Sequence, residues 1–256
     1  MSESLQRASE SVLSPTILPS EQGSINSPFE VVPMPANILI RSPITRREEG
    51  EIQMVLSGNK YPATFIIVPG FEDVIGEQLG GGFYYNHSGT VNQLAFALAV
   101  SPHPAVSEMV EDRSMVEHPE DAVRVLREQR VLEGLRIMDL GCGMLPGFAL
   151  AAKTLGAETF TADAEDLRPN IKAWVDGHTV VDFNTTTAPA KLARATGSNF
   201  DIVTENIVGS VPGRQVDISE PDPEAIIAIG KVLLKPGGYL YGTTIKGLRD
   251  KLLRKI

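Results

Sequence analysis

The run Leu135-Arg-Ile-Met-Asp-Leu-Gly-Cys-Gly143 decides how this chain is read. An apolar strand carries an acid, Asp139, near its end, and two glycines one residue apart, Gly141 and Gly143, open the turn that follows. Glycine at such places lets the backbone take dihedrals closed to other residues and come close to a ligand. Helix signals follow at once: Pro146 suits a first helical turn, Phe148 to Lys153 reads as helix, and Gly156 can close it. A strand, a glycine turn and a helix in that order make a cradle of the nucleotide-binding kind.

Downstream, strands and helices alternate. Strand patterns occupy Leu135 to Leu140, Glu158 to Ala162, His178 to Phe183, Phe200 to Thr204 and Tyr239 to Thr243. The helix before the last of these has Asp222 as N-cap and Pro223 at its first position, then Ile226, Ile227, Ile229 and Leu233 on the apolar side. The turn in Leu234-Lys-Pro-Gly-Gly-Tyr-Leu240 joins that helix to its strand. Such alternation predicts an α/β, doubly wound, mostly parallel sheet. After Thr243, Lys246, Arg249, Lys251, Arg254 and Lys255 interleave with Leu248, Leu252, Leu253 and Ile256, which reads as a short amphipathic helix with a solvated face.

Upstream, the texture changes twice. Residues 1–35 are rich in Ser, Pro and Glu and read as a disordered, mobile tail. Residues 36–117 read as an α+β accessory or lid region. Ile38 to Ile40, Glu51 to Leu56 and Ala63 to Val68 have strand character, the last two flanking a hairpin turn at Ser57 to Pro62. Helices are predicted over Thr90 to Val100 and Pro119 to Leu132, the second leading into residues 118–256, the cofactor-binding domain.

The glycine turn after an Asp-containing strand, together with the Lys235-Pro-Gly-Gly238 turn at its separation, resembles the S-adenosylmethionine-dependent methyltransferases with a Rossmann-like fold. The resemblance covers residues 134 to 245. It implies S-adenosylmethionine as cofactor, with Asp139 among the residues that bind it and the Gly141-Cys142-Gly143 turn toward its methionyl end. Asp163, 24 residues beyond Asp139, would accept from the ribose hydroxyls, Asp182 from the adenine amino group, and Phe183 would pack on the ring. Each acid also has a plainer structural reading: Asp163 as N-cap of a helix near Glu165, and Asp182 in an Asx-turn with Asn184. Cys142 in its tight turn reads as packed rather than reactive. The family sheet ordinarily adds two strands after the fifth, the last antiparallel. With little chain beyond Thr243, the sheet is either shortened or completed by the hairpin at Glu51 to Val68.

Composition narrows the partners. The 256 residues are 42% apolar and 21% charged, an ordinary globular balance, with no apolar run near the roughly 20 residues that span a bilayer. The start Met-Ser-Glu-Ser-Leu-Gln-Arg lacks the basic and apolar regions of a secretory signal, so a cytoplasmic location is expected. A net charge of −9 disfavours nucleic acid. One cysteine and four scattered histidines give no metal-ligand spacing.

Methyl transfer to a small molecule, or less readily to a protein side chain, is the expected activity. In-line displacement at an activated carbon needs alignment and exclusion of water more than strong catalytic groups. Two candidates stand out: Glu205, where the fourth strand ends in Thr204-Glu-Asn-Ile207, as a base or as an acceptor for the substrate's polar group, and His87, in Tyr84-Tyr-Asn-His87 after the triple glycine Gly80 to Gly82, as a base. Their plain readings are a surface carboxylate and a loop whose aromatics pack on the core. His178 begins a strand with no evident partner. Two further functions remain open at this level. One is a cofactor-binding regulatory or scaffold protein without turnover, suggested by Leu145 where the family has a third glycine; the other is a nicotinamide-dependent oxidoreductase on the same kind of fold.

Overall fold

Strand β2 (Arg136–Leu140) lies in the interior of a seven-stranded sheet of order β1-β7-β6-β5-β2-β3-β4. The computed structural model describes residues 28–33, 93–94, 96–106, 125–143, 146–207, 221–249 and 251–256. Strands β3 (Glu158–Asp163), β4 (Gly177–Val180), β5 (Phe200–Glu205) and β6 (Leu234–Gly242) run parallel to β2, so all five present their carboxyl ends on one side. Helices α1 (Gly147–Thr154), α2 (Pro169–Lys172), α3 (Ala188–Thr196) and α4 (Pro223–Leu233) alternate with them, as the α/β pattern predicts.

The sheet is covered on both faces because neighbouring strand residues point to opposite sides. Ile137, Ile202, Tyr241 and Leu252 join a core with Phe148 and Leu150 of α1, Ile171 of α2 and the helical residues Leu94, Phe96 and Leu98. Met138, Leu140, Val203 and Leu240 join the other core, with Leu192 of α3 and Ile226, Ile229 and Leu233 of α4. Asp222 caps α4 as predicted, its carboxylate accepting from the Glu224 N–H at 2.9 Å, with Pro223 at the first position. At the amino ends, the Arg136 guanidinium stacks over Phe200 and Phe160, 4.7 and 5.1 Å from the ring centroids. It also donates to the Thr196 carbonyl at the end of α3, 3.1 Å away.

The Lys235-Pro-Gly-Gly238 segment is a bulge inside β6 rather than a turn before it. Pairing shifts from Phe200↔Leu234 to Ile202↔Tyr239 across it. Gly237 is left-handed at φ +79, and a Cβ on Gly238 would sit 2.8 Å from the Phe200 carbonyl. Glycines there let two backbones pass at close range.

The two strands beyond β6 depart from the sequence expectation. The interleaved cations and leucines of Lys246 to Ile256 predict a helix; the chain instead turns at 246–248 and forms strand β7 (Leu252–Lys255), antiparallel to β6. Gly247 at φ +98 breaks helical dihedrals, and adjacent Leu252 and Leu253 enter the two opposite cores, as strand neighbours do. Strand β1 (Phe29–Val32), within the predicted tail, pairs antiparallel with β7 and buries Phe29. The sheet is therefore not shortened, and β7, not the hairpin, takes the place beside β6. The remaining tail, the predicted strands from Ile38 to Val68 and the Gly80 to His87 loop lie outside the described residues. Among the described residues no helix is long and apolar enough to cross a membrane.

If β7 closes both cores, Leu253→Ala will lower unfolding free energy by about 2–4 kcal/mol, the cost of truncating a buried leucine. Arg254→Ala, a neighbour with half its side chain exposed and paired to Glu30, will change it by less than about 1 kcal/mol. Urea unfolding of the two variants makes the comparison; equal losses would remove the strand's role in the core.

Candidate functional site

Three acids gather where β5, β2 and β3 end side by side: Glu205, Asp139 and Asp163, with exposures of 0, 2 and 5%. Among the described residues none of the three is in a salt bridge with lysine or arginine. Buried acids without cations are expensive, so each must be explained by its partners.

Asp139 Oδ1 accepts from the Gln93 amide Nε2 at 3.0 Å and from the Thr204 hydroxyl at 3.5 Å. The same Gln93 nitrogen donates to Thr204 Oγ1 at 2.8 Å. Burial pushes the Asp139 carboxyl up to about 7, with the Asp163 and Glu205 charges adding to it against those hydrogen bonds. Gln93 escaped the sequence reading. The available signal was its place one helical turn before Phe96 and Ala97, which puts an amide among residues that are fully buried.

Asp163 turns back onto the glycine turn. Its Oδ2 accepts from the Gly143 N–H at 2.8 Å and its Oδ1 from the Glu165 N–H at 3.3 Å. It caps no helix, since α2 begins only at Pro169. The turn itself has left-handed glycines at both predicted places, φ +74 at Gly141 and +65 at Gly143. A Cβ on Gly141 would lie 2.8 Å from Ile207 Cα, so that position requires glycine. The Gly141 and Cys142 amides donate to the Ala162 carbonyl, at 2.8 and 3.4 Å. The amides through Gly143 thus brace β3, and residues 144 and 145 lie outside the described residues. Burial and the two neighbouring acids push the Cys142 thiol well up, leaving it protonated and packed.

Glu205 is neither on the surface nor placed as a free base. Its Oε1 accepts from the N–H groups of Thr243, Thr244 and Ile245 at 2.8, 3.0 and 3.0 Å. Its Oε2 accepts from the Thr244 hydroxyl at 2.6 Å and the Ile207 N–H at 3.2 Å. A carboxylate offers about four lone-pair directions, and five donors occupy them. Its work in this geometry is to tie the turn after β6 to the end of β5.

Asp182 stands two residues past β4, exposed, and accepts from the Asn184 N–H at 2.9 Å in the Asx-turn that was its plain reading. Phe183 is buried in the core with Leu192. The structure therefore brings Asp139, the glycine turn and Asp163 together, and Asp182 follows Val181, whose N–H donates to the Asp163 carbonyl at 2.8 Å. His87, with Tyr84 and Tyr85, lies outside the described residues.

No protein-family model matches the chain. It is 32% identical over 123 residues to a ubiquinone biosynthesis O-methyltransferase of Mesorhizobium japonicum, across 46% of this chain and 44% of that protein. A ubiquinone biosynthesis O-methyltransferase of Cereibacter sphaeroides is 35% identical over 118 residues, 44% of this chain and 42% of its own length. The chain thus spans less than half the length of the curated relatives it matches. Among solved structures, a methyltransferase from the mycinamycin biosynthetic pathway, in complex with Mg, SAH and mycinamycin VI, is 18% identical with a TM-score of 0.32, over 67% of this chain and 44% of that one.

The two central acids carry opposite expectations. Asp139, raised from 3.8 to about 7, favours folding at low pH and loses that contribution as pH rises through about 7. Asp139→Asn will therefore gain stability above pH 7, by up to roughly 4 kcal/mol for a shift of this size, and the gain will shrink toward pH 4. Thermal unfolding across that range checks it; a constant difference would contradict the raised value. Glu205→Ala removes the carboxylate that four main-chain N–H groups donate to and will cost about 3–5 kcal/mol in urea unfolding. A wild-type stability for that variant would return Glu205 to the list of candidate bases.

Proposed function

We propose that this chain, which carries the Rossmann-like sheet of the class I S-adenosylmethionine-dependent methyltransferases, moves a methyl group from S-adenosylmethionine to an oxygen atom of a small molecule. The observation that carries the reading is the set of uncompensated acids, Asp139 and Asp163, beside a turn whose Gly141 admits no side chain. Buried acids at that edge suit a ligand bearing cations and hydroxyls. S-adenosylmethionine is such a ligand, with an ammonium, a sulfonium and a ribose diol. The similarity to proteins named O-methyltransferases supports oxygen as the acceptor atom.

In this reading Asp163 accepts from the ribose hydroxyls, since each of its oxygens holds one main-chain donor and keeps a second acceptor direction. Asp139 faces the methionyl end, its carboxylate held in place by Gln93 and Thr204. When bound, the cofactor supplies a methyl carbon already activated by its sulfonium. The chain's own task is to orient the acceptor, shed water and leave a path for the acceptor's proton. Glu205 shapes the rim by holding residues 243–245, and His87 remains the proposed base. Residues 36–117 keep their proposed accessory role, and Gln93 among them reaches Asp139.

Calorimetric titration with S-adenosylmethionine and S-adenosylhomocysteine tests this directly. Wild type will bind both, and Asp163→Ala will weaken binding by about 1–3 kcal/mol, the scale of hydrogen bonds to a charged group. A panel of hydroxylated small molecules then reports the acceptor by methyl incorporation. A folded wild type that binds neither ligand would sink the proposal.

A further inference from the structure

We infer that His178 is a positioning residue for the methyl-donor site, holding the loop from Asp163 to Asp166 through a neutral imidazole; the inference rests on the donor site proposed above. His178 stands in β4 opposite Thr161 of β3, and its side chain has no solvent exposure. Its Nε2 lies 3.1 Å from the Glu165 carbonyl oxygen and its Nδ1 2.8 Å from the Thr161 hydroxyl. A carbonyl can only accept, so Nε2 carries a hydrogen; in the neutral ring Nδ1 then accepts from Thr161 Oγ1 at 2.8 Å, nearer than the Gly177 carbonyl that the same hydroxyl faces at 3.4 Å. The two bonds select one tautomer of a buried ring.

The loop it holds leads straight into the donor site. The Glu165 N–H donates to Asp163 Oδ1 at 3.3 Å, and Asp163 Oδ2 accepts from the Gly143 N–H at 2.8 Å. A continuous chain of hydrogen bonds therefore runs from Thr161 through His178, Glu165 and Asp163 to the glycine turn. The carboxylate that would meet the ribose is oriented from both ends, and His178 anchors one of them. Other charges face the ring as well: the Asp166 carboxylate 3.6 Å from Nε2, the Lys172 ammonium that pairs with Asp166 at 2.8 Å, and Asp163 itself. Burial holds the imidazole below its usual pKa in spite of these acids, which agrees with a neutral ring.

Two variants separate positioning from packing. His178→Gln keeps a donor near the Nε2 position; His178→Phe keeps a ring and removes both bonds. In calorimetric titration with S-adenosylhomocysteine at neutral pH, His178→Phe will bind about tenfold more weakly than wild type and His178→Gln within about threefold, the difference being one net hydrogen bond. Amide exchange at 163–168 and 141–143 will quicken in the Phe variant, while α4 keeps its wild-type rates. The ring nitrogen resonances of wild-type His178 will show the Nε2–H tautomer. A Phe variant that is less stable overall but binds S-adenosylhomocysteine as tightly as wild type would overturn the inference, as would an Nδ1–H ring. If folded wild type does not bind S-adenosylhomocysteine, the donor-site reading fails. Unchanged exchange at 163–168 in the Phe variant would then separately refute the hold on the loop.

Discussion

The close approach of two loops at Gly141 is the constraint on which the carboxyl edge of the sheet depends. A side chain at that position would collide with the backbone of Ile207, which follows the last residues of β5. Because nothing is there, the turn after β2 and the segment after β5 lie against each other, and Glu205 can be buried between β5 and β6 with its donors around it. Gly143, one residue beyond Cys142, then presents its amide to Asp163. One missing Cβ thus lets the two loops that flank these acids pack against each other.

Those acids divide their labour by hydrogen bonding rather than by residue type. Glu205 is saturated by the chain and acts as a clamp. Asp163 is half-used, each oxygen holding one main-chain donor. Asp139 is the least satisfied relative to its burial, which pushes its carboxyl up to about 7. A fold tolerates such a group where a ligand offsets the cost, which is the usual trade between stability and activity. The opposite end of the sheet shows the contrast: Arg136, stacked on two rings and bonded to the last residue of α3, is satisfied in every direction and holds structure alone.

Legibility in the sequence followed the range of the interactions involved. The strand, glycine turn and helix around Asp139, the capped helix α4 and the alternation of α and β were readable because each is set by neighbours a few residues apart. The error at Lys246 to Ile256 has the same root. Interleaved leucines and cations fit a helix locally, and only the unpaired edge of β6, brought near by the fold, made strand pairing the better use of those backbone groups. Phe29 to Val32 had no local pattern that revealed the edge strand, since its pairing partner lies over two hundred residues away.

For the site, the sequence by itself determined which strand ends carry acids and which turn positions must be glycine, because the first follows from strand boundaries and the second from backbone sterics. What each acid does was decided by tertiary structure. Glu205 became a clamp because the turn after β6 brings it three amides, and Asp139 became a raised carboxyl because burial takes it out of water, against the hydrogen bond that Gln93 brings from a helix earlier in the chain. His178 gained its partners only when β4 lay beside β3. Hydrogen-bond satisfaction and burial are sums over groups distant in sequence, so they exist only once the chain has folded.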